Sequence, residues 1–598
     1  MSEYVAPLQD MQFVLLELAG LDTVVSLTGQ EEVNEELAAA ILEEAGKFAA
    51  GVLSPLNGVG DREGAHWSDG DVRTATGWRE AYRQFAEGGW NALSCPTPFG
   101  GQGLPRVISA LVEEMWNGAN MAFALCPMLT RGAIEALELC GTEQQKALYL
   151  PRLISGEWTG TMNLTEPQAG SDLSAVRTRA VPQADGSFRI HGQKIFITYG
   201  EHDLTPNIVH LVLARTPGAP EGVKGISLFV VPKFLVDADG NVGKPNDVRC
   251  VSIEHKLGIH GSPTAVLAFG DGEGAQGWLV GEENRGLEYM FIMMNAARYS
   301  VGLEGVGLSE RAYQRARDYA RERKQGVEQG SASREKVAIL RHPDVRRMLL
   351  QMKSRTEALR AVACVVAAAT DLAQGHPDEA VRKEQQGFVD LMIPVVKGWS
   401  TESSVLVTSL GVQVHGGMGF IEETGAAQHW RDSRITPIYE GTTGIQAADL
   451  IGRKFARDGG MAIQRVLREM RTVQEKLLVT GDAALAAIAA HLSEGIGALR
   501  RCVAFVVERH SSDPRLAAAG AVPLLELFGI VAGGWQMARA ALVARDRLAQ
   551  GKGDAAFLRA KLLTARFYAD HVLAQAPGLA ETVVGGAVAV LAYEDDQF

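Results

Sequence analysis

Between about Glu157 and Gly281 the hydrophobic period of the chain changes, and that change constrains the fold more than any other feature. On either side of the window apolar residues recur at helical spacing, as in Leu37, Ile41, Ala45 and Phe48 before it and Leu287, Phe291, Met294, Val301, Leu308 and Tyr313 after it. This is the period of helices that bury one face. Inside the window the chain runs instead as short β-branched segments between turn signals, at Phe188 to Thr198, Ile208 to Ala214, Ile226 to Val231 and Val248 to Ile253. The expected class is α+β, mainly helical, with a small β domain set between helical regions. The expected segments are an N-terminal helical domain over 1–156, broken by a Gly-, Asp- and Pro-rich loop around Leu56 to Asp71, and a β domain over 157–281. A helix bundle follows over 282–458, with a long amphipathic run from Arg346 to Leu372, and past Asp458-Gly459-Gly460 an Ala- and Leu-rich helical extension occupies 459–598. In that extension Leu558, Leu562, Ala565, Ala569 and Leu573 fall on one helical face.

Charge and cysteine usage remove several classes of function. A net charge of −13 with no basic stripe argues against a nucleic-acid partner. Six cysteines are scattered without paired metal spacing, so buried thiols in a reducing compartment are expected and no metal site is read. The N-terminus carries Glu3 and Asp10 and no basic or apolar leader pattern, and the most apolar later stretch, Pro523 to Trp535, is too short to span a bilayer. The reading is a cytoplasmic protein with no transmembrane segment.

Few segments have the residue types that chemistry needs. Glu440, in Ile438-Tyr439-Glu440-Gly441-Thr442-Thr443, is the best candidate for a base: a carboxylate in a charge-poor segment, next to a glycine that lets backbone approach a ligand. The same string serves equally well as a helix start capped by Thr442 or Thr443. Thr161-Met162-Asn163-Leu164-Thr165-Glu166-Pro167-Gln168-Ala169-Gly170-Ser171-Asp172 opens the β region with hydroxyls and turn amides of the kind a flavin ring requires, or forms an ordinary Asx or ST turn. Phe196 and Thr198 end a predicted strand, where Phe196 either stacks on a ring or fills the core. Gln413-Val414-His415-Gly416-Gly417-Met418-Gly419-Phe420 is a glycine loop able to bring backbone amides close to phosphate, and is neither a Rossmann fingerprint nor a P-loop. Arg298 sits in an apolar helix and needs a partner, while Arg323 reads as a cation at a helix C-terminus.

Taken together and in order, the Thr-Glu-Pro-x-Ala-Gly-Ser-Asp string, the Ile-Thr-x-Gly strand end, the Arg298 helix, the Arg323-Lys324 pair, the Gly-Gly-x-Gly-Phe loop and Tyr439-Glu440-Gly441-Thr442 resemble the acyl-CoA dehydrogenase family. The resemblance covers about Ser54 to Phe455 and implies a helical domain, a middle β-barrel and a helical bundle. With the N-terminal Tyr4 to Phe13 segment, the Ile253 to Thr264 segment and the extension, the whole chain resembles the subgroup acting on a methylthio-substituted propionyl thioester. The resemblance implies FAD as cofactor, acyl-CoA as substrate, electron-transferring flavoprotein as acceptor and a homo-oligomer of at least two subunits. It assigns the α-proton to Glu440; some members place the base directly before the arginine that is Arg298 here, where this chain has Ala297. It implies cofactor contacts at Met162, Leu164, Thr165, Gly170, Ser171, Phe196, Thr198, Arg323, Gln413, Gly416, Gly417 and Thr442, some of them from a neighbouring subunit. Substrate contacts are implied at Ser171, Arg298, Tyr439 and Gly441. An oxidase that reduces oxygen with the same base, and a catalytically silent acyl-CoA-binding protein, are the alternative readings.

Overall fold

The protein was analysed as a computed structural model that describes residues 4–457 and 459–598; Glu3 and the linker residue Asp458 lie outside the described residues. The chain forms two compact units, one of Lys47–Leu104 with Ala119–Ser300, the other of the stretch up to Gly46, Pro105–Gly118 and Val301–Phe598.

The first unit carries the sheet. Eight strands, β1 (Thr159–Asn163), β2 (Arg179–Pro182), β3 (Phe188–Thr198), β4 (Ile208–Ala214), β5 (Ser227–Pro232), β6 (Val248–Ile253), β7 (Thr264–Phe269) and β8 (Ala275–Val280), pair in the order β6-β7-β3-β8-β5-β4-β1, with β2 beside β3. β1 and β4 run parallel, Met162 opposite Leu211, and the other neighbours are antiparallel. β4, β5 and β7 are buried along their whole length, which is why they read as continuous β-branched runs rather than as alternation. The β3–β7 ladder shifts register between Lys194 and Ile197, where β3 holds one more residue than its partner. That bulge re-aims the strand end bearing Phe196.

Two expectations for the N-terminal region are corrected. The segment expected as a loop from Leu56 is largely helical over Ser54–Glu63: Pro55 starts it, and Gly60 lets Trp78 pack where a Cβ would lie 2.6 Å from the indole. In the helix Glu35–Phe48 the buried stripe is Ala38, Leu42 and Ala45, while Leu37 is exposed. Ile41 and Phe48 are half-buried at the border of that stripe.

The second unit is helical. Long helices Pro343–Gly375 (α1) and Glu379–His415 (α2) pack together and against the extension helices Ala521–Ala549 (α3) and Ala555–His571 (α4). The extension is part of this unit's core, since Trp399 of α2 lies where a Cβ at Gly529 or Gly533 would stand. Leu558, Ala565 and Ala569 are buried on α4 as their spacing predicts, while Leu562 is half-buried and Leu573 lies buried just beyond the helix end. The length argument for Pro523 to Trp535 does not survive, because that stretch belongs to the 29-residue α3. By length and composition α3 and α1 could each cross a membrane, yet 83% and 67% of their apolar windows are buried inside the protein, so that surface is already used by the core. All six cysteines are free thiols.

Candidate active site

In the sheet-bearing unit the Thr165 to Asp172 turn and the end of β3 come together. The amide of Ile195 donates to the Thr165 carbonyl at 2.9 Å, and the buried Lys194 ammonium donates to the Leu164 carbonyl at 3.0 Å. Glu166 is the hub of the turn. Its carboxylate accepts from Lys194 (2.9 Å), the Thr178 hydroxyl (2.6 Å) and the amides of Arg177 (2.8 Å) and Thr178 (3.1 Å). Burial pushes the Glu166 pKa up, but the Lys194 ammonium and these hydrogen bonds outweigh it and hold the group at about 2; burial brings Lys194 down to about 8, so both are ionised at neutral pH.

This pair yields a first prediction. Lys194→Met should cost about 3 kcal/mol or more, read by urea unfolding, because Glu166 stays buried without its cation. In the wild type the Glu166 contribution is fully present above about pH 4.5 and is lost as pH falls towards about 2, the direction for a depressed carboxyl. An unchanged urea midpoint in Lys194→Met would remove Glu166 as the anchor of the turn.

On that scaffold Phe196 has φ of 60° and is 58% exposed. Left-handed backbone under a bulky residue, with its ring in the open, is the arrangement found where function sets the conformation. Leu164, Thr165 and Thr198 are partly exposed beside it, and Gly170 and Ser171 are exposed on the turn. A Cβ at Gly170 would meet nothing within 4 Å, so the chain's own packing does not require a glycine there. Asp172 makes the Asx turn as well, accepting from the Ser174 amide at 2.9 Å. Met162 lies buried in the apolar core, with its backbone in the β1–β4 ladder. Arg298 is buried in the helix Gly286–Glu322 and reaches Asn295 Oδ1 at 3.5 Å. An open aromatic face with adjacent hydroxyls and turn amides has the donor set of a flat, hydrogen-bonding ring, so these residues fit a flavin.

In the helical unit Glu440 and Gly441 are consecutive left-handed residues, with φ of 54° and 90°. Glycine takes that conformation freely; at a glutamate it is strained and must be held by its surroundings. Five hydrogen bonds hold it. Lys397 Nζ, fully buried on α2, donates to the Gly441 carbonyl at 2.8 Å, and Gln446 Nε2 donates to the carbonyls of Glu440 (3.3 Å) and Gly441 (3.2 Å). The Thr443 hydroxyl donates to Glu402 at 2.6 Å, and the Tyr439 hydroxyl donates to buried Glu304. The Glu440 side chain itself is partly buried. Thr442 caps the helix Thr443–Asp449 through the Ile445 amide, so the capping reading of this string also holds.

Glu304 lies on the Gly286–Glu322 helix, which approaches α2 closely because Gly305 takes a position where a Cβ would be 2.7 Å from the Ser400 carbonyl. Glu304, Lys397, Glu402 and Gln446 were not found from sequence. For Lys397 and Glu304 the available signal was one charged residue inside an otherwise apolar stretch, as in Val395-Val396-Lys397-Gly398-Trp399, whereas Glu402 stands in the polar run Ser400-Thr401-Glu402-Ser403-Ser404. In the same unit α2 ends at Gly416, with φ of 60°, and its His415 stacks on Tyr319 at 4.4 Å. The Arg323 amide bonds the Tyr319 carbonyl, so the Gly416–Gly417 loop and Arg323 share one end of the helix pair. Gln413 stands in the last turn of α2, and a Cβ at Gly417 would meet nothing within 4 Å. No cluster of metal-ligating side chains occurs among the described residues.

The sequence matches the N-terminal, middle and C-terminal domains of acyl-CoA dehydrogenases over residues 35–157, 161–271 and 284–455, and an acetyl-CoA dehydrogenase C-terminal-like domain over 466–594. The chain belongs to the acyl-CoA dehydrogenase family. As a member it is an FAD-dependent oxidoreductase with acyl-CoA dehydrogenase activity. It is 52% identical over 572 residues, 96% of each chain, to 3-methylmercaptopropionyl-CoA dehydrogenase of Ruegeria pomeroyi. It is 34% identical, over 97% of its own length and 96% of the relative's, to butyryl-CoA dehydrogenase of Syntrophomonas wolfei. An acyl-CoA dehydrogenase from Bacillus anthracis, solved in complex with FAD, superposes with a TM-score of 0.74 at 23% identity, over 95% of this chain and 90% of that one. At that identity the likeness is one of fold.

Proposed function

We propose that this acyl-CoA dehydrogenase desaturates 3-methylmercaptopropionyl-CoA at the α,β bond, with Glu440 as base. The observation that carries the substrate is the 52% identity to the Ruegeria pomeroyi enzyme along nearly the whole chain. Glu440 takes the α-proton of the thioester, and the β-hydrogen leaves with its electron pair, so that a trans-2-enoyl-CoA forms. Bound FAD supplies the hydride acceptor. Phe196, Leu164, Thr165 and Thr198 would hold its ring, with Met162, Gly170 and Ser171 at its edge; Arg323, Gln413, Gly416, Gly417 and Thr442 would hold the cofactor elsewhere. Ser171, Arg298, Tyr439 and Gly441 would contact the acyl-CoA. The Glu440 amide would meet charge developing on the thioester oxygen, placing base and oxyanion donor on one residue. Ala297 has no proton-accepting group, so the alternative base position is empty. The electrons would pass to electron-transferring flavoprotein, in a cytoplasmic homo-oligomer of at least two subunits.

The test is a panel of saturated acyl-CoAs, including the methylthio-propionyl thioester, assayed with an artificial electron acceptor. The expected result is highest kcat/KM for the sulfur-containing thioester. A strong preference for long straight chains would remove that substrate, and stoichiometric peroxide without added acceptor would make the protein an oxidase.

A further inference from the structure

We propose that Glu304 is a positioning residue for Glu440, anchoring the strained base turn from inside the bundle through the Tyr439 hydroxyl. The inference rests on the reading of Glu440 as the base. Glu304 is fully buried, and its Oε2 accepts the Tyr439 hydroxyl. Its other oxygen, Oε1, is buried without a hydrogen-bond partner. A carboxylate so placed would leave a buried charge uncompensated, whereas the un-ionised acid avoids it and still offers an oxygen to Tyr439.

Tyr439, Lys397, Glu440 and Glu113 act electrostatically on the Glu304 carboxyl. Burial pushes the Glu304 carboxyl up to about 8; the Tyr439 hydroxyl and Lys397 pull against that, while Glu440 and Glu113 add to it. Near neutral pH, Glu304 therefore grips Tyr439 without adding a second negative charge beside the base. Tyr439 directly precedes the left-handed Glu440, so holding its ring restricts the backbone that aims the carboxylate. Above about pH 8 the acid ionises, and the new charge opposes the negative charge that builds on the thioester when the α-proton leaves.

The experiment compares the FAD-loaded wild type, Glu304→Ala and Glu304→Gln in anaerobic flavin bleaching by acyl-CoA from about pH 6 to about pH 10, alongside infrared spectra of the un-ionised carboxyl band. Glu304→Ala should keep FAD and slow bleaching at least about tenfold, because Tyr439 is released. Glu304→Gln still accepts the Tyr439 hydroxyl but cannot ionise, so it should recover the neutral rate to within about threefold and lose the fall in rate above about pH 8. The wild type should show a carboxyl band near neutral pH that Glu304→Gln lacks. An unchanged rate and pH profile in Glu304→Ala, or no difference in the band between wild type and Glu304→Gln, would overturn the proposal. If Glu440→Gln bleaches at the full wild-type rate, the reading of Glu440 as the base falls by itself, and the infrared comparison still decides whether Glu304 is held un-ionised.

Discussion

Glu440→Gln should retain FAD and bleach with acyl-CoA about two to four orders of magnitude more slowly than the wild type, the range a positioned general base supplies. The substitution is isosteric and removes the negative charge together with the capacity to accept a proton. The turn should persist, because Lys397, Gln446 and Tyr439 hold it through backbone carbonyls and a neighbouring hydroxyl. Anaerobic mixing with the best substrate of the panel reads the loss directly, and unchanged FAD content shows that the site has not collapsed. Full-rate bleaching in this variant would transfer the base to another residue.

Arg360→Met should cost about 3–5 kcal/mol of stability, read as a large fall in thermal midpoint or as insoluble protein. Arg360 is buried on α1 and donates to Glu114 at 2.6 and 2.9 Å, to Glu310 at 2.8 Å and to Asp10. Lys561 of α4 meets Asp10 as well, and reaches Glu357 at 2.7 Å. One network thus ties the N-terminal segment, three long helices and the C-terminal extension. Removing the guanidinium leaves several buried carboxyls facing one another, and methionine restores volume but no charge. Lys561→Met probes the same network from the extension and should destabilise in the same direction. For the same reason a chain cut after Arg457 should not fold, because it would lose Lys561 and the α3 helix that covers Trp399. A soluble truncated protein that unfolds cooperatively would show the extension to be dispensable.

Much of the molecule is legible in the order of its residues. The strands Phe188–Thr198, Ile208–Ala214 and Val248–Ile253 form where the β-branched runs stand, and the long helices where the apolar period is helical. Where the reading missed, a partner distant in sequence had decided. Ser54–Glu63 is helical with a glycine at position 60 where Trp78 takes the space of a side chain, and Leu42 rather than Leu37 faces inward with Ala38 and Ala45.

Sequence alone determined the motifs this chain carries: Glu440 before Gly441, the Thr165 to Asp172 string, the aromatic at Phe196 and the glycines at Gly416 and Gly417, because short motifs are made of neighbouring residues whose local conformational needs are written into them. Tertiary structure alone decided how those residues are held. Glu304 lies 135 positions from Tyr439, Lys397 lies 44 from Gly441, and Lys194 lies 28 from Glu166. Each pairs a buried polar group with a partner that only folding brings within hydrogen-bond range, and burial makes that partner obligatory.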